Sequence, residues 1–188
     1  MLIEFDCSAP GLVGGGEEKA WPQIKQLAEM DEAEGYFAAG NCRRQKKDFA
    51  IADEEFAKAL ESNPKSSELI YDIGDYAAKR AEPELLLAVA DSGERVAPGD
   101  PRGQFYRGVA LVLKKESLEK AERLLTAYAK RAPIRSGYPR PAWIHAWVGR
   151  LFEEQNKMEE AANEFESALK LDPKNKMAQE ALKKLKKN

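Results

Sequence analysis

One glycine cluster in the sequence has a spacing that could hold a phosphate group. Gly11 and Gly16 are separated by four residues, as in the first part of a phosphate-binding loop. That motif continues with Lys and then Ser or Thr, whereas Glu17 and Glu18 follow here. Two carboxylates at this place would repel a phosphate. We therefore interpret Gly14–Gly16 as a turn between helices, without phosphate chemistry.

The residues that most often carry catalysis or bind metal ions are scarce. His145 is the only histidine, so neither a histidine pair nor a His-based metal cage can be built. Its place predicts a partly buried side chain, within helix packing, that is bonded to backbone. Cys7 and Cys42 fit neither a disulfide framework nor a metal-ligand spacing, and we expect two reduced, inert thiols. The sequence therefore predicts no enzyme, no cofactor and no metal ion.

The end of the chain carries a basic segment that could meet an anionic partner. Its lysines are Lys174, Lys176, Lys183, Lys184, Lys186 and Lys187. Such charge can attract nucleic acid or a membrane surface, but cations also suit the C-terminal end of a helix. No aromatic residues alternate with these lysines, and the whole chain has a net charge of -2. We therefore predict a solvated helix end and no nucleic-acid partner.

The composition is typical of a folded protein in water. Hydrophobic residues make up 43% and charged residues 33%, which is too apolar for a disordered chain. No apolar run approaches the roughly 20 residues needed to span a bilayer. Residues Met1–Asp6 lack the basic and then apolar layout of a secretory signal. A cytoplasmic location is therefore the default expectation, and no transmembrane segment is predicted.

Residues of the same type recur at a fixed interval. Gly40, Gly74 and Gly108 lie 34 residues apart, as do Pro64 and Pro98. Between them, apolar residues follow the spacing of amphipathic helices, and short polar turns favour antiparallel helix pairs. A residue of close contact and a helix-ending residue thus share one period, which marks a helix–turn–helix repeat.

The units resemble tetratricopeptide repeats from Glu17 to Pro173. That family places a small residue midway along the first helix, alanines on the second helix and a proline at the end. The matching residues are Gly40, Gly74, Gly108 and Gly149, then Ala52, Ala59, Ala121, Ala161 and Ala168, and finally Pro64, Pro98, Pro133 and Pro173. Three residues depart from the family pattern: Arg43 replaces a large apolar residue, Gly93 replaces an alanine and His145 replaces the usual tryptophan.

The resemblance implies an all-α, right-handed α-solenoid of antiparallel helix pairs. The four predicted units are 33–66, 67–100, 101–133 and 142–173, with a loop insertion at 134–141. Residues 174–188 should form a polar capping helix, which solenoid ends need. Residues 1–32 should be an irregular segment followed by a lone second helix of a truncated repeat. We interpret the chain as the C-terminal part of a longer array, and a short protein with an irregular N-terminal cover is the alternative.

In this family the first helices line the concave face, so the resemblance implies a groove there. The predicted groove residues are Phe37, Asn41 and Arg44 in the first unit, Tyr71, Asp75 and Lys79 in the second, Phe105, Tyr106, Val109 and Leu113 in the third, and Trp143, Trp147 and Arg150 in the fourth. Aromatic residues and arginine are enriched at binding hot spots. We expect at least three of five rings to be exposed in the groove, with packing inside the stack as the alternative. These rings are Phe37, Tyr71, Phe105, Trp143 and Trp147.

The predicted function is protein–protein interaction through this groove. Some family members clamp a C-terminal carboxylate with lysines and asparagines, but Phe37 and Tyr71 stand where such a clamp needs polar or basic residues. An extended or helical apolar peptide, with polar contacts from Asn41, Asp75 and Arg150, is therefore the expected ligand. Two alternatives stay open: self-association through the N-terminal face, which would give a homo-oligomer, and a regulatory domain of a larger protein.

Overall fold

A computed structural model of the protein describes residues 2–9 and 15–185, which form eleven α-helices and no strand. The helices are α1 (Leu2–Ser8), α2 (Glu17–Met30), α3 (Glu32–Gln45), α4 (Phe49–Glu61), α5 (Ser67–Arg80), α6 (Pro83–Val96), α7 (Pro101–Lys114), α8 (Leu118–Arg131), α9 (Pro141–Glu154), α10 (Met158–Leu171) and α11 (Lys176–Leu185). Each helix packs on the next, and neighbouring pairs stack in chain order. The predicted all-α, right-handed solenoid is confirmed.

Local sequence signals begin several of these helices. Ser66 and Asp100 each accept a backbone N–H bond at a helix start, from Leu69 at 3.2 Å and from Arg102 at 2.9 Å. Such caps satisfy backbone donors that have no partner inside the helix. Pro141 is the first residue of α9, where the missing proline N–H costs nothing. None of the described helices is long and apolar enough to cross a membrane.

Glycines in the first helices allow neighbouring helices to pack closely together. A Cβ added to Gly40 would lie 2.6 Å from the Phe56 ring of α4, and one on Gly149 would lie 2.7 Å from the Phe165 ring of α10. Both rings are buried, so they fill the space that the missing side chains leave. The periodic glycines of the sequence are thus points of contact between helices.

The buried side chains form a core that runs along the stack. One large cluster extends from Ala52 on α4 to Leu151 on α9. A smaller cluster joins α9 and α10 to α11, which buries Ala178 and Ala181 against them. Helix α11 therefore packs on the last helix pair and leaves its lysines outside: Lys176 and Lys183 are exposed, whereas Lys186 and Lys187 of the predicted basic segment lie outside the described residues.

The N-terminal region differs from the expected irregular segment. Residues Leu2–Ser8 form α1, which packs against both α2 and α3. Helix α2 is therefore not alone, because α1 occupies the place of a shortened first helix. Part of the predicted cover, residues 10–13, and Gly14 of the predicted turn lie outside the described residues.

The expectation of two free thiols is wrong, because Cys7 and Cys42 form a disulfide between α1 and α3. They are 35 residues apart, about one repeat, so they occupy equivalent places on adjacent first helices. Their Cα atoms are 5.2 Å apart, and both side chains are buried beside Ala20, Ile24 and Ala39. Cysteine spacing alone did not reveal this pairing, because it requires residues 2–8 to be helical.

We expect the double variant Cys7→Ser/Cys42→Ser to lose about 2–4 kcal/mol of unfolding free energy, because the cross-link restricts the unfolded chain. Urea unfolding followed by circular dichroism measures the loss. Dithiothreitol should shift the wild-type midpoint towards that of the variant and leave the variant unchanged. Equal midpoints for oxidised wild type and variant would contradict the cross-link.

Gly74→Ala should destabilise the protein by about 1–3 kcal/mol through overpacking. Its Cβ would meet the buried Tyr106 ring at 2.8 Å. The matched control is Gly103→Ala, whose nearest contact would be an ordinary 3.5 Å and which should be neutral or stabilising by up to about 1 kcal/mol. Thermal and urea unfolding compare the two variants, and an equal effect of both would argue against the close approach.

Candidate functional site

The first helices line the inner side of a curved stack. Lys79 Nζ on α5 lies 5.2 Å from the ring centroid of Trp143 on α9, two units further along. First helices two units apart approach in this way only on the inside of the curve. This inner face holds an open pocket of about 1010 Å³, which Asp75, Lys79 and Trp143 help to line. The structure thus brings together three of the predicted groove residues.

Three of the five predicted groove rings are buried, so the expected exposure of at least three rings is wrong. Tyr71, Phe105 and Trp147 expose only 3%, 1% and 2% of their surface. Phe37 and Trp143 remain partly exposed. A first helix contacts its own second helix and the first helices on either side. The buried rings point towards these neighbouring helices and away from the groove. Phe105, for example, packs on the ring of Tyr128 from α8 at 4.9 Å between centroids.

Other members of the predicted rows also divide between core and solvent. Tyr106 and Val109 are buried, and Leu113 is half-buried. The polar members stay accessible: Arg44 and Lys79 are exposed, and Asn41, Asp75 and Arg150 are partly exposed. Arg150 pairs with Glu153 at 3.2 Å. The inner surface therefore presents polar groups and two rings above a wall of buried aromatic residues.

Asp75 is held at the pocket by a tyrosine from the next unit. The Tyr106 hydroxyl donates to Asp75 Oδ1 at 2.7 Å. Burial, with the charge of Asp75 and the hydrogen bond to it, raises the pKa of Tyr106 well above its usual value, so it remains a neutral donor. Asp75 thus enters the pocket with one oxygen already bonded.

Arg102 is a buried arginine that the sequence reading did not single out, with only 3% of its surface exposed. Its guanidinium donates to both Asp100 oxygens, at 2.7 Å from Nη2 and 3.1 Å from Nε. It also lies between two rings, 4.1 Å from Tyr71 and 4.4 Å from Tyr138. A planar guanidinium suits both kinds of contact, whereas lysine does not.

Asp100 and Arg102 support each other's charged forms. Partial burial on its own would raise the pKa of Asp100, but the hydrogen bonds and charge of Arg102 hold it below its usual value. In the same way, the hydrogen bonds and charge of Asp100 outweigh burial and raise the pKa of Arg102. The pair is therefore charged throughout the neutral pH range. Burial, together with the Asp100 charge, raises the pKa of the adjacent Tyr71 to about 12.

Arg102 fixes the connection between α8 and α9 over the inner face. We call this connection, residues 132–140, the insertion loop; it contains the predicted insertion 134–141 except for Pro141, which belongs to α9. The Gly137 carbonyl of the loop accepts from Arg102 Nη1 at 2.9 Å. Gly137 has φ 78, in the left-handed region that favours glycine. Arg135 also contacts Tyr138: its guanidinium lies 4.4 Å from the ring centroid and donates to the hydroxyl at 2.6 Å. The loop is thus an ordered wall of the pocket.

His145 lies in helix packing and is partly buried, as predicted. Its partner is different from the expected backbone: Nδ1 lies 2.7 Å from Glu164 Oε2 of α10. Helices α9 and α10 form one antiparallel pair, so the contact ties the two helices of the last unit together. Within the part of the chain that the structure describes, no cluster of three or more His, Cys, Asp or Glu side chains could hold a metal ion. The absence of a metal site stays a prediction.

The fold and its inner face define the protein as a helical-repeat protein. The family model described as tetratricopeptide repeat matches residues 33–66 and 144–175. The structure resembles that of YrrB, described as a TPR protein with an unusual peptide-binding site, with TM-score 0.60, 23% identity and coverage of 88% of this chain and 83% of that one. It also resembles the MamA RS-1 ArsTM double mutant, with TM-score 0.58, 22% identity and coverage of 88% and 90%.

These matches confirm the predicted resemblance to tetratricopeptide repeat proteins. None of the curated proteins searched matches the chain. Repeats of this family indicate a scaffold for protein–protein interaction and are generally not catalytic. At 22–23% identity, the two solved structures support the fold alone.

Arg102→Lys should release the insertion loop, because lysine provides neither the planar stack between two rings nor the fork to Asp100. We expect amide hydrogens of residues 132–140 to exchange at least about tenfold faster, as hydrogen-exchange mass spectrometry measures. Arg107→Lys on the same helix is the control, since Arg107 is partly exposed and has one ion pair, to Asp91 at 2.6 Å. Unchanged loop exchange in Arg102→Lys would show that the clamp does not hold the loop.

Proposed function

We propose that the protein binds a segment of a partner protein along its concave inner face and performs no reaction itself. The observation that carries this proposal is the open pocket of about 1010 Å³ on that face. It lies at the upper end of the volumes of ligand sites. The wall beneath it is preformed by buried rings, so a partner segment meets a surface that needs little reorganisation.

The accessible residues differ from the full predicted rows. In this proposal Asn41, Arg44, Asp75, Lys79 and Trp143 contact the partner directly. Tyr71, Phe105 and Trp147 act beneath the surface by keeping the first helices in position. Because Trp147 is 2% exposed, Trp147→Ala would leave a cavity and lower the stability of the fold, so it is not a clean test of binding. The surface residues provide the sharper experiment.

A photoreactive p-benzoylphenylalanine at position 44 or 79 should form covalent adducts with a partner in native lysate. The same group at position 54 on α4 or 123 on α8 is the matched control, because Glu54 and Arg123 are exposed on second helices. We expect the concave positions to give a distinct adduct on denaturing gels and the second-helix positions to give none. Adducts from the second-helix positions alone would contradict binding on the inner face.

Self-association is a second candidate, which exposed apolar residues at the N-terminal end favour. Phe5 on α1 exposes 48% of its surface and Met30 at the end of α2 exposes 79%. A second copy of the chain could cover them. In the same experiment, a photoreactive residue at position 30 would then give a dimer of the chain, whereas concave binding gives an adduct from position 44 or 79.

A further inference from the structure

The insertion loop forms part of the wall of the pocket of about 1010 Å³ on the inner face and gives this pocket its particular chemistry. Its walls are the loop, the C-terminal half of α5, the start of α9 and the connection between α10 and α11. Clamping by Arg102 keeps the loop folded over the face. The pocket is thus bounded on several sides. The rest of the inner face, which first-helix residues form without a loop over them, is an open surface.

Two large aliphatic side chains at this pocket are left in water. Ile134 exposes 87% of its surface and Leu171 exposes 56%, and both line the pocket together with the partly exposed Trp143. Exposed apolar residues grouped around a concave site indicate binding of an apolar group. A large side chain of a partner would remove all three from water.

The charged side chains of the pocket differ in whether they already have a bonding partner. Its two carboxylates already have partners: Asp75 accepts from Tyr106, and Asp172 Oδ1 accepts from the Lys174 backbone N–H at 3.0 Å. Lys79 and Arg140 also line the pocket, and within the described ranges neither lies at ion-pair distance from a carboxylate. Both donors are neutral, so the carboxylates keep their charge, but the three cations of the pocket (Lys79, Arg135 and Arg140) outnumber them and make its net charge positive.

We propose that this pocket takes an acidic–apolar segment of the partner protein, with a large apolar side chain against Trp143, Ile134 and Leu171 and neighbouring carboxylates at Lys79 and Arg140. The inference rests on the proposed function and names the chemistry of the bound segment. Charge complementarity would orient the segment and set the salt dependence of binding, and apolar burial would hold it.

Selection from a display library of random dodecapeptides on the immobilised wild-type chain tests this inference. We expect enriched peptides to carry Asp or Glu next to a large apolar residue. A synthetic peptide of the enriched sequence is then titrated by isothermal calorimetry against wild type and against Lys79→Ala/Arg140→Ala. Its affinity should fall at least about tenfold in that variant, the size expected for lost charged hydrogen bonds, and should weaken with added salt.

The matched control is Arg123→Ala/Lys130→Ala, which removes the same two charges from exposed positions on α8 and should bind as wild type does. A circular-dichroism melt checks that both variants fold. Enriched peptides without acidic residues, peptides that bind Lys79→Ala/Arg140→Ala with wild-type affinity, or no enrichment at all would each overturn the inference. Photo-adducts from positions 44 and 79 would still support concave binding in those cases, so the two failures are distinguishable.

Discussion

The repeats are held together by close contact between the helix backbone at a glycine and a large buried side chain of a neighbouring helix. In three units the glycine of the first helix faces its own second helix: Gly40 faces Phe56, Gly108 faces Leu125 and Gly149 faces Phe165. Any side chain at the glycine would force the helices apart. The spacing of the helices, and with it the curvature of the inner face, follows from this contact.

The second unit meets the same constraint in another direction. Gly74 faces Tyr106 of the next first helix, and the hydroxyl of that tyrosine reaches Asp75. One side chain thus fills the space at Gly74 and positions a carboxylate at the pocket. Packing and recognition share residues here, which explains why several rings of the predicted groove are structural. The exposed polar groups and Trp143 are left to meet a partner.

The departures from regular repeats give the protein its individual features. At the first end, α1 takes the place of a full first helix and the Cys7–Cys42 bond secures it. In the second half, the insertion loop lies over the inner face because Arg102 is stacked between Tyr71 and Tyr138. A buried arginine needs partners for its charge, and Asp100 and the Gly137 carbonyl supply them. Both features change surfaces that a uniform array would repeat.

The sequence by itself determined the helical repeat, its period and the type of contact at each glycine. Every unit needs a close contact between helices at its glycine, so the same residue types recur at one interval. The local pattern of residues is therefore enough to predict the repeat. The tertiary structure decided which rings face solvent. Phe105 and Trp147 are buried by neighbouring helices, and the residue pattern of a single helix does not show where those neighbours lie. The tertiary structure also decided the disulfide and the Arg102 clamp, since each joins residues of different units and has no periodic signal along the chain.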